Sequence, residues 1–143
     1  MGEFPKGGFL MLRAVADTHA VIWYIFADSR LSVTARTTIE EIAAQGNQVA
    51  FSSITLAEIV YLSEWGRINS TTLDLLLREV ESDDALLVEI PFDRNIALTL
   101  RQVDRSQIPD LPDRIIAATA LYLNVPVISR DRRIQLSSID TIW

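Results

Sequence analysis

Short β-rich runs alternate along this chain with longer helical stretches, and that alternation limits the fold more than any other feature. The strand candidates are LRAVA (12–16), QVAFSS (48–53), LLVEI (86–90) and PVIS (126–129), with SSIDTIW supplying a short fifth. Between them lie THAVIWYIF, then SVTARTTIEEIAAQG with Ser32 as its N-cap and Gly46 at its end, then ITLAEIVYLSEWG. STTLDLLLREVESDD opens on another capping signal, DRNIALTLRQVDR is helical, and PDRIIAATALYLN follows the loop SQIPDLP. Such a pattern predicts an α/β fold, a parallel sheet with helices on both faces. There is no internal repeat, and one domain is expected.

Four acids fall where these strands end and helices begin: Asp17, Glu58, Asp113 and Asp131. Asp17 serves equally as an N-cap or as a carboxylate in the crevice where α/β sheets place ligands. Glu58 shares a helical stripe with Ile54, Tyr61 and Leu62, and a carboxylate on an inward stripe needs a partner or a cation. Asp113 follows Pro112 in a helix's first turn, and Asp110 precedes it by three residues, so either can be ligand or cap. Asp131 is a turn residue or a ligand, with Ser129 placed to hold it. Gathered at one sheet edge, these carboxylates require cations, and a divalent-metal site used for phosphate-ester chemistry is the leading expectation. His19, the only histidine, either contacts phosphate or is structural.

Composition narrows the metal. With one His and no Cys, zinc sites of the usual N/S type and disulfides are excluded, and Mg²⁺ or Mn²⁺ fits the oxygen donors that remain. The absence of cysteine also makes the cytoplasm the default location. At 143 residues, 49% of them apolar, the chain can bury one substantial core, and no apolar run reaches the roughly 20 residues that span a bilayer. Its net charge of −6 argues against a passive nucleic-acid binder but less against a metal-loaded nuclease. Lys6 is the only lysine. All other basic residues are arginines, suited to bidentate phosphate contacts, and Arg114, Arg130, Arg132 and Arg133 flank the acids. Residues 1–11 (MGEFPKGGFLM), without an h-region, read as a loose tail or expression remnant, leaving 12–143 as the domain.

The ordered set VADTHAVIW, SSITLAEIVYL and LPDRIIAATALYLNVPVISRD resembles the PIN domain, and within it the toxin ribonucleases of VapBC-type toxin–antitoxin pairs. The likeness runs from about Leu12 to Trp143. It implies an α/β/α sandwich around a parallel sheet of about five strands. It also implies a Mg²⁺- or Mn²⁺-dependent endoribonuclease, using one or two ions, that cuts single-stranded regions of RNA. Asp17, Glu58, Asp113 and Asp131 would take the family's acidic positions, and Thr18 and Ser129 its accessory hydroxyls. His19 and Asp110 stand beside them, with Arg114 and Arg130 as substrate contacts. The implied partners are RNA, a cognate VapB-type antitoxin and a second copy of the chain, with no membrane. Two departures, Ala57 where many relatives carry Trp and Ala16 where a larger aliphatic is usual, affect packing and leave the acids intact.

Other classes fit less well. A receiver-like phosphoacceptor needs a lysine near the last strand, and a dinucleotide-binding domain needs a glycine-rich turn after the first, which ADTHAV lacks. A non-catalytic PIN-like RNA-binding or scaffold protein and a metal nuclease acting on DNA stay open as alternatives.

Overall fold

The computed structural model describes residues 11–143. The rest of the expected tail, residues 1–10, lies outside the described residues. Met11 is already tied to the sheet, its carbonyl accepting from Gln48 N at 2.9 Å and its amide donating to Asn47 Oδ1 at 3.2 Å.

The five strands β1 (Leu12–Ala16), β2 (Gln48–Ser52), β3 (Leu87–Ile90), β4 (Val127–Ile128) and β5 (Thr141–Ile142) form one sheet in the order β3-β2-β1-β4-β5. Every pairing is parallel. Because successive strand side chains point to opposite faces, the central strands feed two cores. Ala14, Ala16, Val49, Phe51 and Ile128 join one, and Val15, Ala50 and Val127 join the other.

Four helices cover the first face: α1 (Thr18–Ile25), α2 (Val33–Ala44), α3 (Ile54–Glu64) and α4 (Thr72–Val80). The second face is covered by α5 (Arg94–Thr99) with its 3₁₀ turn Leu100–Gln102, α6 (Leu111–Leu123) and α7 (Arg132–Leu136). Ala117, Ala118 and Ala120 are fully buried, and such small side chains let α6 pack close against the sheet. The three-layer α/β/α sandwich expected from the sequence is therefore present. Among the described residues no helix is long and apolar enough to cross a membrane.

The strand order positions the site. The chain builds outward from β1 to β3, then crosses the other face through α5 and α6 to insert β4 on the opposite side of β1. The crossovers from β1 and β4 thus diverge, opening a crevice at the carboxyl ends of these strands. Asp17 follows β1 there, and Ser129 to Asp131 follow β4.

Several local expectations shift. Ser32 caps α2 as read, its Oγ accepting from Ala35 N at 3.0 Å. The helix in DRNIALTLRQVDR ends at Thr99 and tightens into the 3₁₀ turn, and α4 begins at Thr72 rather than Ser70. Pro112 is the second residue of α6, because Asp110 is the N-cap. Helix α7 has no counterpart in the sequence pattern; only Ile134 in it is buried, too little apolar periodicity to register. On α3 the buried positions are Thr55 and Ile59, while Tyr61 is 60% exposed. Glu58 therefore lies at the margin of the inward stripe, facing the crevice.

Candidate active site at the carboxyl edge of the sheet

A crevice of about 610 Å³ at this edge is lined by five carboxylates: Asp17, Glu58, Asp110, Asp113 and Asp131. Four of the five are each placed by a separate local device. Asp17 is only 8% exposed, and its Oδ1 caps α1 by accepting from Ala20 N at 2.9 Å. Its own amide donates to Ile128 O at 3.0 Å, fixing it to the end of β4. Asp131 caps α7, its Oδ1 accepting from Arg133 N at 2.8 Å and Ile134 N at 3.1 Å. The buried Ser129 hydroxyl accepts from Asp131 N at 2.9 Å and so sets the turn. Asp110 Oδ2 caps α6 by accepting from Asp113 N at 3.2 Å. In that loop Asp110 is the cap, and the Asp113 carboxylate accepts no hydrogen bond among the described residues; both face the crevice.

Glu58 is oriented by a hydroxyl relay. Thr18 Oγ1 donates to Glu58 Oε1. With that proton committed, the buried Thr55 hydroxyl 3.0 Å from Thr18 Oγ1 is left to donate to it. Thr18, which the sequence offers as an accessory hydroxyl, lies against Glu58. Thr55 is an addition, although its spacing three residues before Glu58 on one helix is a readable signal.

The carboxylates act on one another. Burial pushes the Asp113 carboxyl up to about 7, reinforced by the negative charges of Asp110, Asp131, Glu58 and Asp17. Burial likewise raises Asp17, opposed by the Ser129 hydroxyl and the Ala20 amide. Glu58 is raised by burial, opposed by Thr18, with Asp110 adding to the rise. No arginine relieves this, since the one ion pair among the described residues is Arg30–Asp28, at 2.7 Å. Carboxylate oxygens without a basic partner fit a hard divalent cation. Among the described residues no three such side chains are gathered tightly enough to enclose an ion as they stand. The donors surround an open crevice.

A PIN domain family model matches residues 14–140. This chain belongs to the PIN domain family. Its fold is similar to that of several solved structures. VapBC2 from Rickettsia felis, bound to a DNA fragment from their promoter, matches with a TM-score of 0.66 at 17% identity, covering 91% of this chain and 97% of that one. A toxin–antitoxin complex from Klebsiella pneumoniae matches at 0.56 with 25% identity, covering 85% and 89%. FitAcB from Neisseria gonorrhoeae matches at 0.57 with 19% identity, covering 90% and 95%. No curated protein sequence matches the chain significantly.

The arginines of this PIN domain divide. Arg130 and Arg133 line the acid crevice, as does Arg30, which no motif in the sequence marks. Arg114 does not. Its Nη2 donates to Leu100 O at 2.7 Å and to Val103 O at 3.0 Å, anchoring the 3₁₀ turn to α6. His19 is exposed at the crevice rim, its ring 5.4 Å from that of Trp23. A second groove of about 620 Å³ adjoins the crevice and shares His19, Trp23 and Arg30 with it. It continues past Phe26, Leu62 and Arg67.

Proposed function

We propose that this PIN domain is the ribonuclease toxin of a toxin–antitoxin pair. It hydrolyses phosphodiester bonds in single-stranded regions of RNA with Mg²⁺ or Mn²⁺, and a cognate antitoxin holds it inactive. The observation that carries this reading is the set of five carboxylates at the strand-order reversal, with no basic side chain among the described residues paired to any of them. The family membership and the toxin–antitoxin character of the similar structures support it.

Asp17, Glu58, Asp113 and Asp131 would hold the cation, with Asp110 at the edge of the set. A bound divalent ion supplies Lewis-acid activation of water and offsets charge on the phosphate. The chain does the positioning. Capping contacts fix Asp17 and Asp131, the Thr18–Thr55 relay aims Glu58, and Ser129 holds the turn before Asp131. Arg130 and Arg133 reach the same crevice and would take phosphate oxygens. Arg114 would support the fold around the site. Because attack by the RNA's own 2′-hydroxyl is not required, the products carry 5′-phosphate and 3′-hydroxyl ends. The reading includes action in the cytoplasm and a homodimer, the latter supported by Val60, Tyr61 and Trp65 exposed on and beside α3.

The test is cleavage of total cellular RNA by antitoxin-free protein with Mg²⁺ or Mn²⁺, against EDTA and against Asp17→Asn. Discrete fragments that disappear in both controls are expected. No cleavage by folded protein, or 2′,3′-cyclic phosphate ends, would refute the reading.

A further inference from the structure

We propose that Trp23 is a positioning residue that holds Arg130 and Arg30 as a paired clamp for successive backbone phosphates leaving the acid crevice; this rests on the ribonuclease reading above. Trp23 is 4% exposed, and two guanidinium groups attend its one ring. The Arg130 Cζ lies 4.6 Å from the ring centroid and the Arg30 Cζ 5.3 Å. The rings of His19 and Trp143 lie 5.4 and 5.9 Å from it.

The distribution of charge is the unusual part. Arg130 lines a crevice with five carboxylates and precedes one of them in sequence, yet forms no ion pair among the described residues. A guanidinium in such a place would ordinarily fold onto one of those carboxylates, which would take that acid from a cation. Stacking on an indole holds the cation through the ring's face. That leaves the in-plane N–H donors of Arg130 free for phosphate oxygens and the acids free for a cation.

Arg30 is fixed from two sides. Its Nε and Nη2 donate to Asp28 at 3.1 and 2.7 Å, leaving the remaining edge of the fork open. The two ring distances keep the charges of Arg30 and Arg130 within about 10 Å of each other. Arg30 also lines both the acid crevice and the adjoining groove, whereas Arg130 lines only the crevice. A single strand crossing the acids toward that groove would meet Arg130 first and Arg30 next. Trp23 thus serves the substrate through the arginines; being buried, it offers little ring face on which a base could stack.

The experiment measures steady-state cleavage of the end-mapped RNA oligonucleotide over a KCl series. It compares wild type with Trp23→Phe, Trp23→Leu, Arg130→Gln, Arg30→Gln and the Trp23→Leu/Arg130→Gln double variant, each checked by thermal unfolding. Removing the clamp is expected to raise KM by about five- to thirtyfold, the range spanned by a cation–π interaction as it is desolvated, with kcat nearly unchanged. The slope of log KM against log salt should fall by about 0.7 for each phosphate of the single strand that the variant no longer neutralises. Trp23→Phe should retain part of the wild-type KM and slope. The double variant should fall short of the sum of its single changes, since the Trp23–Arg130 interaction is lost only once, and its excess over Arg130→Gln should not exceed the effect of Arg30→Gln. Folded Trp23 variants with lower melting temperatures but wild-type KM and salt slope would overturn the clamp, as would additive effects in the double variant. Absence of any cleavage by wild type is a separate outcome, which removes the ribonuclease reading and the clamp with it.

Discussion

Replacing Asp113 by Asn should make the cation-free protein more stable while destroying its activity. The folded Asp113 carboxyl holds its proton to about 7, against 3.8 for an ordinary aspartate. The unfolded chain therefore ionises first as pH rises, and wild-type stability falls through the window from 3.8 to about 7 and levels off above it. Fully sequestered, a rise of that size would cost about 4 kcal/mol; Asp113 is half-buried, so solvent screening brings the expectation to about 1–2 kcal/mol. Asn has no proton to lose, so the variant's advantage should be absent near the acid end of the window and complete above it. Urea unfolding in EDTA at about pH 5 and pH 8 measures this directly through the midpoint. Excess Mg²⁺ should reverse the order, because the ion stabilises the chain with the intact ligand set by about 2.7 kcal/mol at a hundredfold excess over its Kd. A variant no more stable than wild type at pH 8 in EDTA would mean that the carboxylates do not strain the fold, and that mutual repulsion does not govern the crevice.

Three further outcomes follow from the same geometry. Thr55→Val should lower kcat/KM by about tenfold with a stability decrease of about 1 kcal/mol, since the Thr18 hydroxyl is deprived of its partner and Glu58 of its aim; unchanged kinetics would show that the relay is idle. Arg114→Met should lower stability by about 1–2 kcal/mol in urea unfolding, because the Val103 carbonyl loses its donor and the Leu100 carbonyl keeps only the Val103 amide. The folded fraction of that variant should keep the wild-type KM, and a raised KM would return Arg114 to the substrate. Ala27→Gly should raise the melting temperature by a degree or two, because Ala27 sits at φ 50, where a Cβ costs about 1–2 kcal/mol and glycine's added chain entropy offsets only part of the relief.

The layered fold is readable in the chain because both cores are written into the strands: Ala14, Val15 and Ala16 are buried on alternating faces, so each strand reads as a continuous apolar run. Asp17 and Asp131 are readable because they follow β1 and β4 at the edge where the parallel sheet gathers ligands, whereas Glu58 and Asp113 reach that edge from α3 and α6. Arg114 misleads for a geometric reason. It follows Asp113 in sequence, but adjacent residues on a helix do not share a face, and its side chain turns to the 3₁₀ turn while Asp113 faces the crevice. The stripe through Tyr61 fails similarly, since periodicity gives the spacing of a face and not which rotation of α3 meets the sheet. The pairing of Trp23 with Arg30 and Arg130 joins α1 to two separate loops, and no local pattern encodes a meeting of that kind.

The order in which the sheet is built also bears on how such a chain is made. β1 finds one of its two neighbours late: Val15 pairs with Val127 and Ala16 with Ile128, across most of the sequence. Long-range pairing of this kind is slow to form and cannot precede synthesis of the far partner. Until β4 has emerged from the ribosome, Asp17 has no Ile128 carbonyl to receive its amide, and the turn bearing Asp131 is not yet available to the sheet. On the nuclease reading, a growing polypeptide would therefore lack an assembled acid crevice until β4 has paired with β1.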